Sequence, residues 1–245
     1  MLDLIGKVAL VTGASRGIGA AVAQQLAERG ADLVINYRSK AHRAEEIAAN
    51  ILATGRRAIL AQADITNEVE VGEMMQNISN NFKKLDLLVL NASGGMEKDK
   101  SSDYAMSLNL TAQERLADLA TPLMKDGGRI VFVTSHLAHF YGQKPVTAIY
   151  ETVAASKFAG EKSLRDRIPQ LTDKGISLVV VSGDLIEGTI TPKLMERANR
   201  GFINERREQA GSLPTVADFA KAIADACVDS RLSSGETVFV GNTEW

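Results

Sequence analysis

The feature that most constrains this chain is a regular alternation of short β-branched runs with longer segments of helical period. The first cycle predicts a strand at 7–12, a helix at 17–29 and a second strand at 33–37. Similar cycles continue to the apolar run 238–240, which gives about seven strands. Because this alternation is typical of parallel strands joined by helices, we predict an α/β fold of the Rossmann type, with a doubly wound parallel sheet.

The length and composition of the chain predict one domain over residues 1–245. It has 245 residues, of which 45% are hydrophobic, and no internal stretch has the composition of a linker. The alternation breaks at 188–214, where prolines and a glycine bracket two short charged helical pieces that include Arg206 and Arg207. At the carboxyl edge of a parallel sheet such a segment is either a substrate lid or a solvated loop.

Charge and cysteine content exclude several classes of function. A formal net charge of −2 without a basic block argues against nucleic-acid binding, so a small-molecule partner is expected. The lone Cys227 excludes an internal disulfide and a cysteine-only metal site, and its apolar neighbours predict a packed helix residue. No metal site is predicted. The sequence has no signal-peptide pattern and no apolar stretch of membrane-spanning length, which predicts a cytoplasmic protein without a membrane partner.

A glycine-rich turn, Gly13 to Gly19, lies between the first strand and the first helix. Glycines permit a tight turn and let the backbone come close to a pyrophosphate, whose charge is stabilised by the free N–H groups at the helix start. A glycine-rich run alone is a weak signal, but its place at the start of a strand-helix-strand unit makes dinucleotide binding the expected function.

The spacing Gly-x-x-x-Gly-x-Gly after Thr12 resembles the signature of the short-chain dehydrogenase/reductase family, and the resemblance extends over nearly the whole chain. Asn91-Ala92-Ser93-Gly94 is similar to the family's Asn-Ala-Gly-Gly, with Ser93 in place of a glycine. The resemblance implies these cofactor-binding residues: Gly13, Ser15, Arg16, Gly17, Ile18, Gly19, Arg38, Asp64, Ile65, Asn91, Ala92, Ser93, Lys157, Ile186 and Thr189.

The end of the second strand predicts which dinucleotide binds. An acidic residue there would bond the ribose hydroxyls of NAD(H), whereas a basic residue would pair with the 2′-phosphate of NADP(H). The strand ends in Asn36-Tyr37-Arg38-Ser39, without a carboxylate. Arg38 and Arg16 match the family's two basic positions, and guanidinium groups suit phosphate geometry, so NADP(H) is the predicted cofactor.

The resemblance also implies a catalytic set, in which one member is displaced. Asn109, Ser135 and Lys157 match the family's asparagine, serine and lysine, but Val153 occupies the usual tyrosine position four residues before the lysine. Tyr150 lies seven residues before Lys157 and fifteen after Ser135, the latter close to the family's usual gap. We therefore predict that Tyr150 supplies the proton, that Ser135 bonds the substrate oxygen, and that Asn109 supports a proton-relay water.

On one helix, Tyr150 and Lys157 would share a face about 10 Å apart along the axis, instead of about 6 Å at the usual spacing. Either a non-helical segment 151–153 or a bridging water could restore the usual assistance of the lysine to the phenol. Three neighbours in the loop after the fifth strand are alternative acids: Tyr141, His136 and His139.

The sixth strand is followed by a second departure from the family pattern, Ser182-Gly183-Asp184 instead of Pro-Gly. Backbone at Ile186 and the hydroxyl of Thr189 remain available to hold the nicotinamide carboxamide. Asp184 and Glu187 place carboxylates where the family has none, either to orient a polar substrate or to face solvent.

These residues predict an NADP(H)-dependent oxidoreductase that reduces a carbonyl, or oxidises the matching alcohol, by hydride transfer. The alternative is a dinucleotide-binding protein with little or no reductase activity, acting as a sensor or assembly partner. The resemblance further implies a homo-oligomer, a dimer or tetramer. Leu108, Leu116 and Leu119 on the long helix are candidates for the apolar surface that such an assembly needs.

Overall fold

The computed structural model describes residues 3–97, 100–101 and 103–244, with backbone only at residue 126. Seven strands form one sheet in the order β3-β2-β1-β4-β5-β6-β7, and every neighbouring pair is parallel. Their bounds are β1 Val8–Val11, β2 Asp32–Tyr37, β3 Ala58–Gln62, β4 Leu85–Leu90, β5 Met124–Ser135, β6 Ser177–Gly183 and β7 Thr237–Val240. The predicted α/β fold with a doubly wound sheet of about seven strands is confirmed.

Helices connect the strands. Their bounds are α1 Gly17–Glu28, α2 Ala41–Ala53, α3 Glu68–Phe82, α4 Tyr104–Met106, α5 Ala112–Ala120, α6 His136–His139, α7 Glu151–Asp166, α8 Ile168–Thr172, α9 Ile190–Ala198, α10 Phe202–Ala210 and α11 Val216–Ala226. The helix predicted after β4 is not uniform, because a π-helical segment, Ser107–Thr111, joins α4 to α5 and a 3₁₀ turn follows at Thr121–Leu123. The π-helical segment carries Asn109.

The sheet is buried on both faces, which explains why its strands read as continuous apolar runs. On one face α1, α2 and α11 pack on residues such as Val11, Val89 and Val131. On the other face α3, α5 and the end of α7 pack on the alternate residues. Successive strand side chains point to opposite faces, so one run of β-branched and leucine residues fills both layers.

The order of the strands determines where a ligand crevice can open. The chain moves outward from β1 to β2 and β3, then returns to the other side of β1 with β4. In open parallel sheets the connections of the two strands at such a reversal point leave the sheet on opposite faces, and a crevice opens at their carboxyl ends. The segments that follow β1 and β4 therefore border the site.

The segment 188–214 contains two helices, α9 and α10, and is not a solvated loop. Met195 of α9 and Leu213 pack in a third apolar cluster with Tyr150 and Leu185. None of the helices in the described part of the chain is both long enough and apolar enough to cross a membrane.

The burial of individual residues corrects the prediction of an apolar assembly surface and agrees with the prediction for Cys227. Leu108 and Leu116 are buried, so of the three leucines proposed for an assembly surface only Leu119 is exposed, at 38%. Cys227 is a packed residue at the end of α11, as predicted. Burial raises the pKa of its thiol to about 12, which makes it unreactive at neutral pH.

Candidate active site

The glycine-rich turn is held in place by the buried Asn36 of β2. Its Oδ1 accepts a hydrogen bond from the Gly13 N–H at 3.2 Å, and its backbone oxygen accepts from the Ala14 N–H at 2.8 Å. Its Nδ2 donates to the carbonyl of Ala61 in β3 and to the carbonyl of Ala63, just after that strand. Asn36 therefore joins three strand ends, a role that sequence reasoning missed.

Three positions of the turn require glycine, either because the backbone has a positive φ or because another backbone segment lies too close for a Cβ. Gly13 and Gly17 have φ values of +65° and +54°, and a Cβ on Gly19 would lie 2.5 Å from the Gly13 carbonyl oxygen. No side chain caps the start of α1, whose N-cap residue is Arg16. Open N–H groups at a helix start beside a turn with glycine at its closest approaches fit the pyrophosphate of a dinucleotide.

Thr12 and Asn91 tie the two sides of the crevice together. Thr12 Oγ1 accepts from the N–H groups of Asn91 and Ala92, both at 3.0 Å. Asn91 Nδ2 returns a bond to the Thr12 carbonyl at 2.9 Å. The segment after β4, predicted to contact the cofactor, is thus fixed directly beside the glycine-rich turn.

The predicted 2′-phosphate residues lie at the other end of the crevice. The Arg38 side chain is 47% exposed, with its Nη1 2.7 Å from the Tyr104 hydroxyl and 3.9 Å from Asp64 Oδ2. Asp64 Oδ1 accepts bonds from the N–H and hydroxyl of Thr66, which fixes the carboxylate. Arg16 is exposed as well, so both guanidinium groups are available to an anion.

Ser135 and Tyr150 meet at the carboxyl end of β5. The two hydroxyl oxygens are 3.1 Å apart. Ser135 Oγ also accepts from the Ala138 N–H, which caps α6. The Tyr150 ring is buried, and this burial raises the pKa of its phenol, an effect that the bond to Ser135 partly offsets. The phenol therefore stays protonated at neutral pH.

Tyr150 is the N-cap residue of α7 and precedes the helix instead of lying within it. The suggestion that 151–153 is non-helical is wrong, because α7 begins at Glu151. Val153, in the family's usual tyrosine position, is buried, and it limits the space beside Gly95, where an added Cβ would lie 3.2 Å from Val153 Cγ2. The chain thus brings a phenol to Ser135 from just before the helix.

Lys157 lies inside α7 and is buried. Burial lowers the pKa of its ammonium to about 8, and the nearby Glu161 carboxylate opposes that shift. Within the described part of the chain, no hydrogen bond engages its Nζ. A buried amine with a free donor suits contact with a bound polar group.

Asn109 is fixed on all sides. Its Nδ2 donates to the Gly94 carbonyl at 2.9 Å and to Ser156 Oγ at 3.0 Å, so its side chain joins the segment after β4 to α7. Gly160 of α7 packs so closely that a Cβ there would lie 2.0 Å from the Asn109 carbonyl oxygen.

The alternative acids are engaged elsewhere. His136 is fully buried, with its Nδ1 2.8 Å from Ser182 Oγ, and burial lowers its pKa to about 4. His139 Nδ1 lies 2.8 Å from Glu161 Oε1. The Tyr141 hydroxyl donates to Glu151 Oε1 at 2.7 Å.

The sequence itself matches the family model described as short chain dehydrogenase over residues 7–199, which is most of its length. The chain belongs to the short-chain dehydrogenase family. Among curated relatives of this chain is a hydroxynaphthalene reductase-like protein, Arp2, of Metarhizium brunneum, 42% identical over 165 residues. That alignment covers 65% of this chain and 60% of the relative.

Solved structures resemble this chain over nearly its full length. A short chain dehydrogenase from Burkholderia cenocepacia, solved in complex with NADP, has a TM-score of 0.85, 32% identity and 97% coverage of both chains. The angucycline C-6 ketoreductase LanV, solved with bound NADP, has a TM-score of 0.79 and 28% identity. Coverage there is 98% of this chain and 96% of LanV.

The structure departs from expectation after β6. Asp184 neither faces solvent nor is free to orient a substrate, because Arg206 of α10 donates to both of its carboxylate oxygens at 2.9 and 2.8 Å, and both side chains are buried. Glu187 pairs with the adjacent Arg207 at 2.8 Å. The two carboxylates thus fasten α10 to the end of β6.

The carboxamide residues lie close together in the same loop. The Thr189 hydroxyl donates to the Ile186 carbonyl at 2.8 Å, just before α9. Ile186 is buried and Thr189 is half-buried. Their role toward the cofactor stays a prediction.

Proposed function

We propose that this short-chain dehydrogenase is an NADPH-dependent reductase of carbonyl substrates, able in principle to oxidise the matching alcohols. The observation that carries the proposal is the 3.1 Å approach of the Tyr150 hydroxyl to Ser135 Oγ at the carboxyl end of β5. Two hydroxyl groups at that distance can bond one carbonyl oxygen together. When bound, NADPH supplies the hydride.

In this proposal Tyr150 is the general acid. Because burial keeps its phenol protonated, it can donate a hydrogen bond and then a proton to the substrate oxygen as the carbonyl is reduced. Ser135 bonds the same oxygen and holds the phenol in place. The Lys157 ammonium would bond the nicotinamide ribose and favour the phenolate that remains.

Asn109 has a scaffolding part in the proposal. Its side-chain amide is committed to Gly94 and Ser156, so the proton-relay water that the family resemblance implies would have to bond its backbone carbonyl. The closely packed Gly160 limits the space around that carbonyl.

The assignment of NADP(H) rests on the adenosine end of the crevice. Arg38 and Arg16 are exposed guanidinium groups, and the segment that ends β2 offers no carboxylate to ribose hydroxyls. Asp64, Ile65 and the 91–93 segment would line the adenosine, while Ile186 and Thr189 would face the nicotinamide. The NADP complex of the Burkholderia cenocepacia relative supports this assignment.

We further propose a fused-ring aromatic ketone as substrate. The walls beside Tyr150 are apolar, with Tyr141, Val146, Phe202 and Ile203 packed against its buried cluster. Apolar side chains beside two adjacent hydroxyl groups fit a rigid ring ketone better than a charged substrate. The printed names of the hydroxynaphthalene reductase-like relative and of the angucycline ketoreductase support this substrate class.

The alternative of a non-catalytic dinucleotide-binding protein is not favoured. Its argument was the displaced tyrosine, and Tyr150 lies beside Ser135 in spite of that displacement.

Two finer expectations belong to the same proposal. The first is a cytoplasmic location, which cell fractionation would test. A homo-oligomer, with the exposed Met106 and Leu119 near its interface, would be tested by light scattering at micromolar concentration, where a monomeric mass would contradict it.

The deciding experiment is a substrate screen that follows NADPH absorbance, paired with calorimetric titration of NADPH and NADH. We expect NADPH to bind at least about tenfold more tightly, and a tetralone to be reduced faster than acetone. Equal affinity for the two dinucleotides would contradict the cofactor, and tight NADPH binding without turnover of any carbonyl would contradict the reductase.

A further inference from the structure

Arg38 is held across the crevice by Tyr104, a residue that the sequence analysis did not single out. Tyr104 begins α4, after the segment that follows β4, and its hydroxyl accepts from Arg38 Nη1 at 2.7 Å. Because β1 lies between β2 and β4, this bond spans the carboxyl end of β1, where the glycine-rich turn begins.

The acceptor that holds Arg38 is neutral, although two carboxylates are near. Asp64 Oδ2 lies 3.9 Å from the guanidinium, a long ion pair without a hydrogen bond, and Glu97 is close enough to interact with it electrostatically. A carboxylate partner would cancel the charge that a phosphate needs, whereas a phenol fixes the guanidinium and leaves its charge in place. Burial raises the pKa of the Tyr104 phenol, which keeps it neutral at physiological pH.

A second cation stands on the same ring. Lys100 Nζ lies 5.0 Å from the centroid of the Tyr104 ring, within the range of a cation–π contact. The ring thus carries an ammonium on its face and a guanidinium at its hydroxyl. A dianion between β2 and α4 would meet both charges.

We propose that Tyr104 is a specificity-determining residue for NADP(H), which holds Arg38 toward the 2′-phosphate without neutralising it and adds Lys100 to the same phosphate site. This inference rests on the proposed function, since it deepens the assignment of NADP(H). Tyr104 acts through Arg38, so it is a positioning residue whose effect depends on that arginine.

The test uses two fragments of the cofactor on the full chain, adenosine 2′,5′-bisphosphate and 5′-AMP, titrated by calorimetry. Tyr104→Phe removes only the hydroxyl that holds Arg38. We expect it to weaken the bisphosphate about threefold to tenfold, the range of one hydrogen bond, and to leave 5′-AMP unchanged. Tyr141→Phe is the matched control, because that hydroxyl bonds Glu151 and should affect neither fragment.

A double-mutant cycle distinguishes positioning from a general structural effect. In an Arg38→Ala background, Tyr104→Phe should have no further effect on bisphosphate affinity, whereas additive losses would overturn the inference. Lys100→Ala should weaken the bisphosphate alone. If wild-type protein binds the two fragments equally, the assignment of NADP(H) itself fails. If wild-type protein discriminates between the fragments and Tyr104→Phe discriminates to the same extent, only the role of Tyr104 fails.

Discussion

The Tyr150 hydroxyl lies 3.1 Å from Ser135 Oγ, although Val153 occupies the position from which a tyrosine usually reaches this serine. Tyr150 achieves this by preceding α7, so that its ring turns back to the end of β5. This contact makes the Tyr150 phenol the first group whose catalytic role should be tested by mutation.

Tyr150→Phe should lower turnover by about 10²- to 10⁴-fold, because a positioned general acid contributes a factor of that size. NADPH affinity, measured by calorimetry, should change little. Tyr141→Phe is the control, since its hydroxyl is exposed and bonded to Glu151. Loss of turnover in the control with retention in Tyr150→Phe would move the proton donor into the loop after Ser135.

The pH dependence of reduction should report Lys157. Its pKa is about 8, so its ammonium loses charge, and with it the support for the phenolate, as pH rises through that value. We expect kcat/KM to fall on the alkaline side with a midpoint near 8. Glu161 raises this pKa, so Glu161→Gln should move the midpoint to lower pH, while Glu73→Gln on the exposed face of α3 should not. An unchanged midpoint in Glu161→Gln would contradict the assignment.

His136 should make the fold sensitive to acid. Its pKa is lowered from 6.5 to about 4 by burial, so between these values the unfolded chain binds a proton that the folded chain does not. Stability should therefore fall as pH drops from 6.5 toward 4, by roughly 3 kcal/mol from this group. His136→Asn, which keeps a polar partner for Ser182, should show a shallower loss in urea unfolding. If the free energy of unfolding fell equally with pH in wild type and His136→Asn, His136 would be excluded as the cause.

The buried pair between Asp184 and Arg206 gives a prediction about stability. Arg206→Met leaves a buried carboxylate without its partner and should cost about 3–5 kcal/mol. The double variant Asp184→Asn with Arg206→Met removes the charge as well and should recover part of that loss. Denaturant titration measures both. A double variant less stable than Arg206→Met would mean that Asp184 is stabilised by other groups.

Gly160→Ala should disturb Asn109, because the new Cβ would lie 2.0 Å from the Asn109 carbonyl oxygen. We expect lower thermal stability together with lower turnover. Gly72→Ala is the matched helix control: no atom lies within 4 Å of its Cβ position, so it should stabilise by roughly 0.5–1 kcal/mol. If the two variants had equal thermal stability and equal turnover, close packing of Gly160 against Asn109 would not explain the effect.

Local periodicity was sufficient to predict the sheet, because parallel strands buried on both faces produce unbroken apolar runs. The glycine-rich turn was equally readable, since its glycines are required by backbone angles and close approach. The fifteen-residue gap after Ser135 pointed to Tyr150, and the two hydroxyls do meet. Helix boundaries were less readable: the sequence placed Tyr150 on the helix, and it stands one residue before it.

Interactions between distant segments could not be predicted. Asp184 and Arg206 are 22 residues apart, and each looks like a surface charge until α10 packs against the end of β6. Asn36 has its role only once β1 and β3 flank β2. The π-helical segment around Asn109 has no sequence period of its own, because it is set by packing against α7.

The start of α7 at Glu151 separates the phenol from the ammonium that would assist it. Lys157 lies within α7, whereas Tyr150 follows the loop 140–149, in which Thr147 accepts its N–H and Tyr141 and Val146 pack against the same buried cluster. If Tyr150 donates the proton, as we propose, exchanging that loop between relatives would move the donor together with residues proposed to line the substrate. Substrate shape and reaction rate would then depend on the same short segment.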